Sequence, residues 1–126
     1  MGIVTVEISL SNPRREDMRP MQVEALVDSG AFCLCIPEHI KIQLGLQEIE
    51  RREVTIANAK KEVVSYVGPV TINCLGRTSF GGALVIGDRV LLGALPMEDM
   101  DLVISPSKQT VTVNPESPNI ASGLVM

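Results

Sequence analysis

Short apolar runs with the two-residue period of a β-strand dominate this sequence. From Val4 to Leu10, aliphatic residues alternate with Thr, Glu and Ser, which is typical of a strand with one buried face. Similar runs recur along the chain between turn signals such as Gly87-Asp88 and Ser105-Pro106. About eight short strands, joined mostly by hairpins, predict an all-β fold, either a closed barrel or a sandwich, with one or two short helices.

Proline and glycine residues give the approximate bounds of the helices and strands. Pro37 suits the first position of a helix and Gly45 suits its end, so we predict a helix over 37–44. A second short helix is predicted over 96–100, and the charged run 48–53 is interpreted as a solvated surface segment. The predicted strands cover 4–10, 21–27, 31–36, 54–56, 63–67, 70–74, 79–86, 102–104 and 110–113.

Length and charge limit the function classes. The 126 residues are enough for one domain, which we assign to 1–114, followed by a C-terminal tail over 115–126. The net charge is −4 and aromatic residues make up 2%, so the phosphate neutralisation and base stacking that nucleic-acid binding needs are not provided. No membrane-spanning run and no secretory leader is predicted. We therefore expect a cytoplasmic protein whose cysteines, Cys33, Cys35 and Cys74, are reduced and semi-buried.

The triplet Asp28-Ser29-Gly30 is the most informative motif for function. It follows the apolar strand 21–27 directly, and a carboxylate at the end of such a strand is costly unless partners or function justify it. Taken alone, Asp-Ser-Gly is also a common turn sequence. The triplet lies between apolar strands instead of polar loops, and the later segment 90–93 has the same apolar-apolar-Gly character, which favours a functional role over a simple turn.

With these segments in view, the chain resembles the retropepsin-like aspartic proteases, the single-lobed family of retroviral proteases and their small bacterial relatives. The resemblance covers roughly 21–114 and is closer to the bacterial members. It rests on three segments in order: Ala25-Leu-Val-Asp-Ser-Gly-Ala31, Ile36-Pro37 followed by Leu44-Gly45-Leu46, and Leu91-Leu-Gly-Ala-Leu-Pro-Met-Glu-Asp-Met100.

The resemblance implies an aspartic endopeptidase with a closed acid-protease-like fold. Asp28 is then the catalytic aspartate, Ser29 the hydroxyl that buttresses the pair across the subunit boundary, and Gly30 the residue that permits close backbone approach. Because the chain has no second Asp-Ser/Thr-Gly and no room for a second lobe, one Asp28 must come from each subunit of a homodimer. The substrate is expected to be an extended peptide or protein.

The same resemblance implies a flap and a set of substrate-binding residues. The hairpin tip 58–61 would close over the peptide, although it lacks the glycines of viral flaps. Ser29 is a second departure, since Thr is commoner there in the family. The expected substrate-binding residues are Leu26, Ala31, Phe32, Ile56, Asn58, Ala59, Lys60 and Leu92.

Other functions have weaker signals. A thiol nucleophile built from Cys33 or Cys35 with His39 lacks an orienting third group, and no cofactor or metal site is predicted because the ligand spacing for zinc is absent. The main alternative from a different class is a non-catalytic module that binds a peptide or a partner protein on the same fold. A purely structural dimer is a third possibility.

Overall fold

The computed structural model of the protein describes residues 3–125. The first two residues of the predicted domain and the last residue of the predicted tail lie outside this range. The predicted all-β class is confirmed, with two short helices. The elements are β1 (Thr5–Ser11), β2 (Met21–Val27), β3 (Leu34–Ile36), α1 (Glu38–Gln43), β4 (Gln47–Thr55), β5 (Lys61–Cys74), β6 (Arg77–Val85), β7 (Val90–Leu92), α2 (Ala94–Asp99), β8 (Leu102–Ser105) and β9 (Thr110–Val113).

Six strands close into a barrel. Their order around the wall is β1-β2-β7-β3-β6-β5, and β5 pairs back onto β1, with Leu10 opposite Ile72. The parallel pair β2–β7 sets Val27 beside Leu92 and brings the ends of these strands together. The seventh strand, β4, pairs only with β5 among the described strands, so the β4–β5 hairpin continues outside the barrel as an arm.

The barrel interior is aliphatic, as the composition predicts. Ile8 and Leu10 of β1 are buried, in agreement with the alternation in the sequence. On β5 the same period buries Val70, Ile72 and Cys74. All three cysteines are free and buried, which is deeper than the semi-buried position expected for them.

The predictions for the β4–β5 region differ from the structure in two respects, each for an identifiable reason. The predicted strands 63–67 and 70–74 are one strand, because the register shift between Val67 and Val70 accommodates Gly68-Pro69, joined by a cis peptide bond, without ending the ladder. The predicted surface segment 48–53 belongs to β4: its side chains are mostly exposed, as expected, while its backbone pairs with β5.

The second half of the chain packs a helix and a hairpin onto the barrel. Helix α2 begins two residues before the predicted start, because Gly93 caps it. The β8–β9 hairpin forms a separate sheet. Within residues 3–125, no helix has the length and apolarity needed to cross a membrane.

The C-terminal segment is fixed to the domain through a buried arginine. The guanidinium of Arg77 donates to the carbonyl oxygens of Met100, at 3.2 Å, and Asp101, at 3.0 Å, and also to that of Ser117. The Asp101 carboxylate accepts hydrogen bonds from Asn114 Nδ2, the Ser117 hydroxyl and the Ser122 amide. These bonds hold the first part of the predicted tail against the barrel.

Candidate active site

Asp28 lies directly after β2, where its backbone is fixed by the neighbouring strand. Its amide donates to the Leu92 carbonyl at 3.0 Å, which extends the β2–β7 ladder by one bond. The Gly30 amide donates to Asp28 Oδ1 at 2.9 Å, and the Ala31 amide donates to the Asp28 carbonyl at 3.0 Å. The side chain is half-buried, so the turn holds the carboxylate in one orientation while leaving it accessible.

Two of the segments singled out in the sequence, 25–31 and 91–100, meet at Gly93. A Cβ at this position would lie 2.4 Å from the Cys33 carbonyl oxygen and 2.6 Å from that of Ala31, so only glycine fits. The next two amides of the chain, at Ala94 and Leu95, donate to the carbonyls of Ala31 and Phe32 at 2.9 and 3.0 Å. The start of α2 therefore clamps the loop that follows Asp28.

Asp28 opens into a cleft of about 550 Å³ between the barrel and the arm. Its lining is largely apolar, with a few charged groups, which is typical of ligand sites. The lining residues are Asp28, Gly30, Ala31, Phe32, Cys35, Arg52, Glu53, Val54, Thr55, Ile56, Ala57, Leu84, Ile86 and Leu91.

The cleft contains part of the predicted site. Asp28 and Gly30 line it together with Ala31, Phe32 and Ile56, whereas Ser29 is exposed on the turn. The other predicted substrate-binding residues lie elsewhere. Leu26 is half-buried on β2, Leu92 is fully buried in the barrel core, and Asn58, Ala59 and Lys60 are exposed at the tip of the arm.

Several lining residues were not predicted from the sequence, although period-two signals were present. Arg52 and Val54 share the face of β4 that leads to Ile56, and all three are half-buried between exposed neighbours. On β7 the neighbour Leu91, rather than Leu92, lines the cleft. Among the other unpredicted members, Cys35, Leu84 and Ile86 lie on β3, on β6 and just after β6. Glu53, Thr55 and Ala57 are the exposed neighbours on and just after β4.

The tip of the arm forms a tight loop without glycine. The Ile56 amide donates to the Lys60 carbonyl at 2.9 Å, closing the hairpin. Asn58 has φ 71° and Ala59 has φ 57°, so two L residues occupy left-handed conformations. Asn adopts this conformation more readily than other L residues, whereas Ala59 carries a conformational cost of about 1–2 kcal/mol.

The charged groups of the cleft pair with neighbours on the arm. Arg52 Nε donates to Glu50 Oε2 at 2.7 Å, and its guanidinium lies 3.6 Å from the centroid of the Tyr66 ring. Glu53 is 3.8 Å from Lys61 Nζ across the arm. Asp28 makes no ion pair among the described residues, which distinguishes it from Glu53, the other carboxylate in the cleft.

The thiols beside the cleft are not arranged as nucleophiles. The contact with Cys35 lowers the pKa of Cys33, and the same contact together with burial raises the pKa of Cys35. Both thiols are buried, whereas His39 is exposed on α1 and forms no hydrogen bond with them in the described structure. Across residues 3–125, no cluster of three His, Cys, Asp or Glu side chains could hold a metal ion.

Comparison with protein-family models and with curated proteins finds no match for the chain.

Proposed function

We propose that the protein is a retropepsin-like aspartic endopeptidase, active as a homodimer in which each subunit contributes Asp28 to one site. The observation that carries this proposal is the position of Asp28. Its carboxylate lies at the end of a barrel strand, is oriented by the Gly30 amide, and faces a peptide-sized cleft without a cationic partner among the described residues.

The chemistry requires two carboxylates that share one proton. The ionised Asp28 accepts a proton from a water molecule as the water oxygen attacks the scissile carbonyl carbon. The protonated Asp28 of the partner subunit donates to the developing oxyanion, which gives a gem-diol. The first Asp28 then passes the proton it took from water to the leaving amide nitrogen as the C–N bond breaks, and Asp28 of the partner subunit takes back the hydroxyl proton as the carbonyl re-forms. One carboxylate cannot do both, and this is why the site needs two copies of the chain.

The remaining cleft residues suit an extended apolar peptide. Val54, Ile56 and Leu84 supply apolar contact area, and the arm offers backbone groups for strand-like hydrogen bonds with the peptide. Ser29 is exposed beside Asp28, where its hydroxyl is available to buttress the partner's turn. In this role Ser29 is a positioning residue.

The test compares two cleft carboxylates in peptide hydrolysis. A diverse peptide library is incubated with the wild-type chain, Asp28→Asn and Glu53→Gln, and the products are identified by mass spectrometry. Asparagine retains the oxygen that accepts from Gly30, so we expect Asp28→Asn to keep its thermal unfolding midpoint and lose cleavage. Glu53→Gln should cleave at a rate close to that of the wild type.

Mixing the chains tests the shared site. If subunits exchange and pair at random, adding an equal amount of Asp28→Asn to wild type should reduce cleavage to about half, because mixed dimers are inactive. Cleavage that persists in Asp28→Asn, or that is lost only in Glu53→Gln, contradicts the proposal. A wild-type chain that binds library peptides without cutting them supports the non-catalytic peptide-binding module instead.

A further inference from the structure

A second groove, of about 450 Å³, adjoins the candidate cleft at Phe32, which lines both. The groove lies between α2 and residues of β3, β5 and β6. Its lining residues are Phe32, Cys33, Leu34, Tyr66, Val70, Ile72, Ser79, Phe80, Gly81, Gly82, Leu95, Pro96, Glu98 and Asp99. Of these residues, Phe32 alone also lines the cleft assigned to hydrolysis.

Three large apolar side chains around this groove are exposed to solvent. Phe80 is 66% exposed, Phe32 64% and Leu95 47%. Isolated exposed apolar residues are ordinary, but three around one concave surface form the kind of patch that marks a binding site. The chain has only three aromatic residues, Phe32, Tyr66 and Phe80, and all of them line this groove.

The charged residues that line this groove in the described structure are all acidic. Glu98 and Asp99 lie at its α2 side, and no Lys, Arg or His is among its lining residues in the described structure. Asp99 accepts a hydrogen bond from the Ser79 hydroxyl at 2.7 Å. Glu98 is exposed and makes no ion pair within residues 3–125, so its charge is available to a ligand.

We infer that this groove binds an extension of the peptide that occupies the cleft, with an apolar side chain against Phe32, Phe80 and Leu95 and a Lys or Arg beside Glu98. The inference rests on the proposed function and adds a substrate class to it. Continuity supports it: Phe32 is four residues from Asp28, so their Cα atoms are at most about 14 Å apart. An extended peptide covers that distance in about four residues.

Binding is measured on the full chain carrying Asp28→Asn, so that the peptides stay intact. The probes are fluorescein-labelled peptide libraries with eight random positions, flanked on either side by Leu-Phe-Lys-Lys or by Leu-Phe-Glu-Glu. Fluorescence polarisation gives the dissociation constants. We expect the lysine-flanked library to bind about tenfold more tightly than the glutamate-flanked one.

Two added substitutions separate the apolar contribution from the charge. Phe80→Ala should weaken binding of the lysine-flanked library by about tenfold, and Glu98→Lys should reverse the preference between the flanks. Ile42→Ala and Glu116→Lys are matched controls, because these residues are exposed and line neither the groove nor the cleft. Neither control should change either dissociation constant.

The outcomes distinguish this inference from the protease proposal. If the wild-type chain cleaves peptides but both libraries bind equally well, or if the controls have the same effects as Phe80→Ala and Glu98→Lys, the groove assignment is overturned. If the flank preference and its reversal are found but the wild type cleaves nothing, the groove is supported and the protease proposal fails.

Discussion

Replacing Gly93 with alanine tests whether the contact between the end of β7 and the loop after Asp28 holds the site together. A Cβ at this position would lie 2.4 and 2.6 Å from two carbonyl oxygens and 2.9 Å from the Cys33 carbonyl carbon. All three atoms belong to backbone, so the new methyl group cannot be accommodated by rotating a side chain. The loop and α2 must move apart.

The expected cost follows from what this movement disrupts. Overpacking in a close-packed region costs about 1–3 kcal/mol. Separation also weakens the two hydrogen bonds from Ala94 and Leu95 to the loop carbonyls, each worth about 1 kcal/mol. Gly93→Ala should therefore lower the free energy of unfolding by about 3–5 kcal/mol, a large part of the roughly 5–15 kcal/mol of an ordinary domain.

Urea denaturation at one fixed protein concentration measures this loss. Gly81→Ala is the matched control, because a Cβ there meets no heavy atom within 4 Å. That change should leave the stability equal or raise it by up to about 1 kcal/mol, since alanine restricts the unfolded chain. A Gly93→Ala variant within about 0.5 kcal/mol of the wild type would refute the clamp.

Three further predictions concern the rest of the fold. Arg77→Met should lower the free energy of unfolding by about 3–5 kcal/mol in urea denaturation, because the Met100, Asp101 and Ser117 carbonyls lose their shared donor. Limited proteolysis should also cut this variant after residue 114 earlier than it cuts wild type or Arg77→Lys. Hydrogen bonds from Ser117, Asn114 and Ser122 hold the pKa of Asp101 below its ordinary value of 3.8. The ionised carboxylate therefore stabilises the fold above that pH, and this stabilisation is lost as the pH falls through the lowered pKa. The thermal unfolding midpoint should depend less on pH between 5 and 2 in Asp101→Asn than in wild type, and an unchanged pH dependence would contradict this. Iodoacetamide at pH 8 should modify Cys33 before Cys35 and Cys74. The contact with Cys35 lowers the pKa of Cys33, whereas the contact with Cys33 and burial raise the pKa of Cys35, and burial raises the pKa of Cys74. Peptide mapping that finds Cys35 or Cys74 modified first would argue against this order.

The predictable part of the fold is the part where one face of a strand is buried and the other is not. The alternation from Val4 to Leu10 fixed both the existence and the inward face of β1, and Pro37 with Gly45 bracketed α1 within a residue or two. The sequence could not predict that β5 is one continuous strand, because Gly68-Pro69 has the composition of a turn. Its backbone is instead absorbed by a bulge within the ladder.

The site was predictable to a similar degree. Asp28 stood out because a charged residue directly follows an apolar strand. The close contact of Gly93 with the loop after Asp28 was not predicted, because nothing in the two segments indicates that they pack together. The choice between Leu91 and Leu92 was not available from the sequence, since an unbroken apolar run has no alternation to identify the inward face. The acidic groove was missed because its members come from four separate segments of the chain.

Because β5 is one strand that continues from the barrel wall, through its bulge at Gly68-Pro69, into the arm, the wall and the arm share the same backbone. The tip loop is also closed by its own hydrogen bond. A displacement of the tip is therefore transmitted along β5 to the part of the strand that pairs with β1 in the barrel wall. Opening of the cleft and distortion of the barrel are thus mechanically linked in this protein.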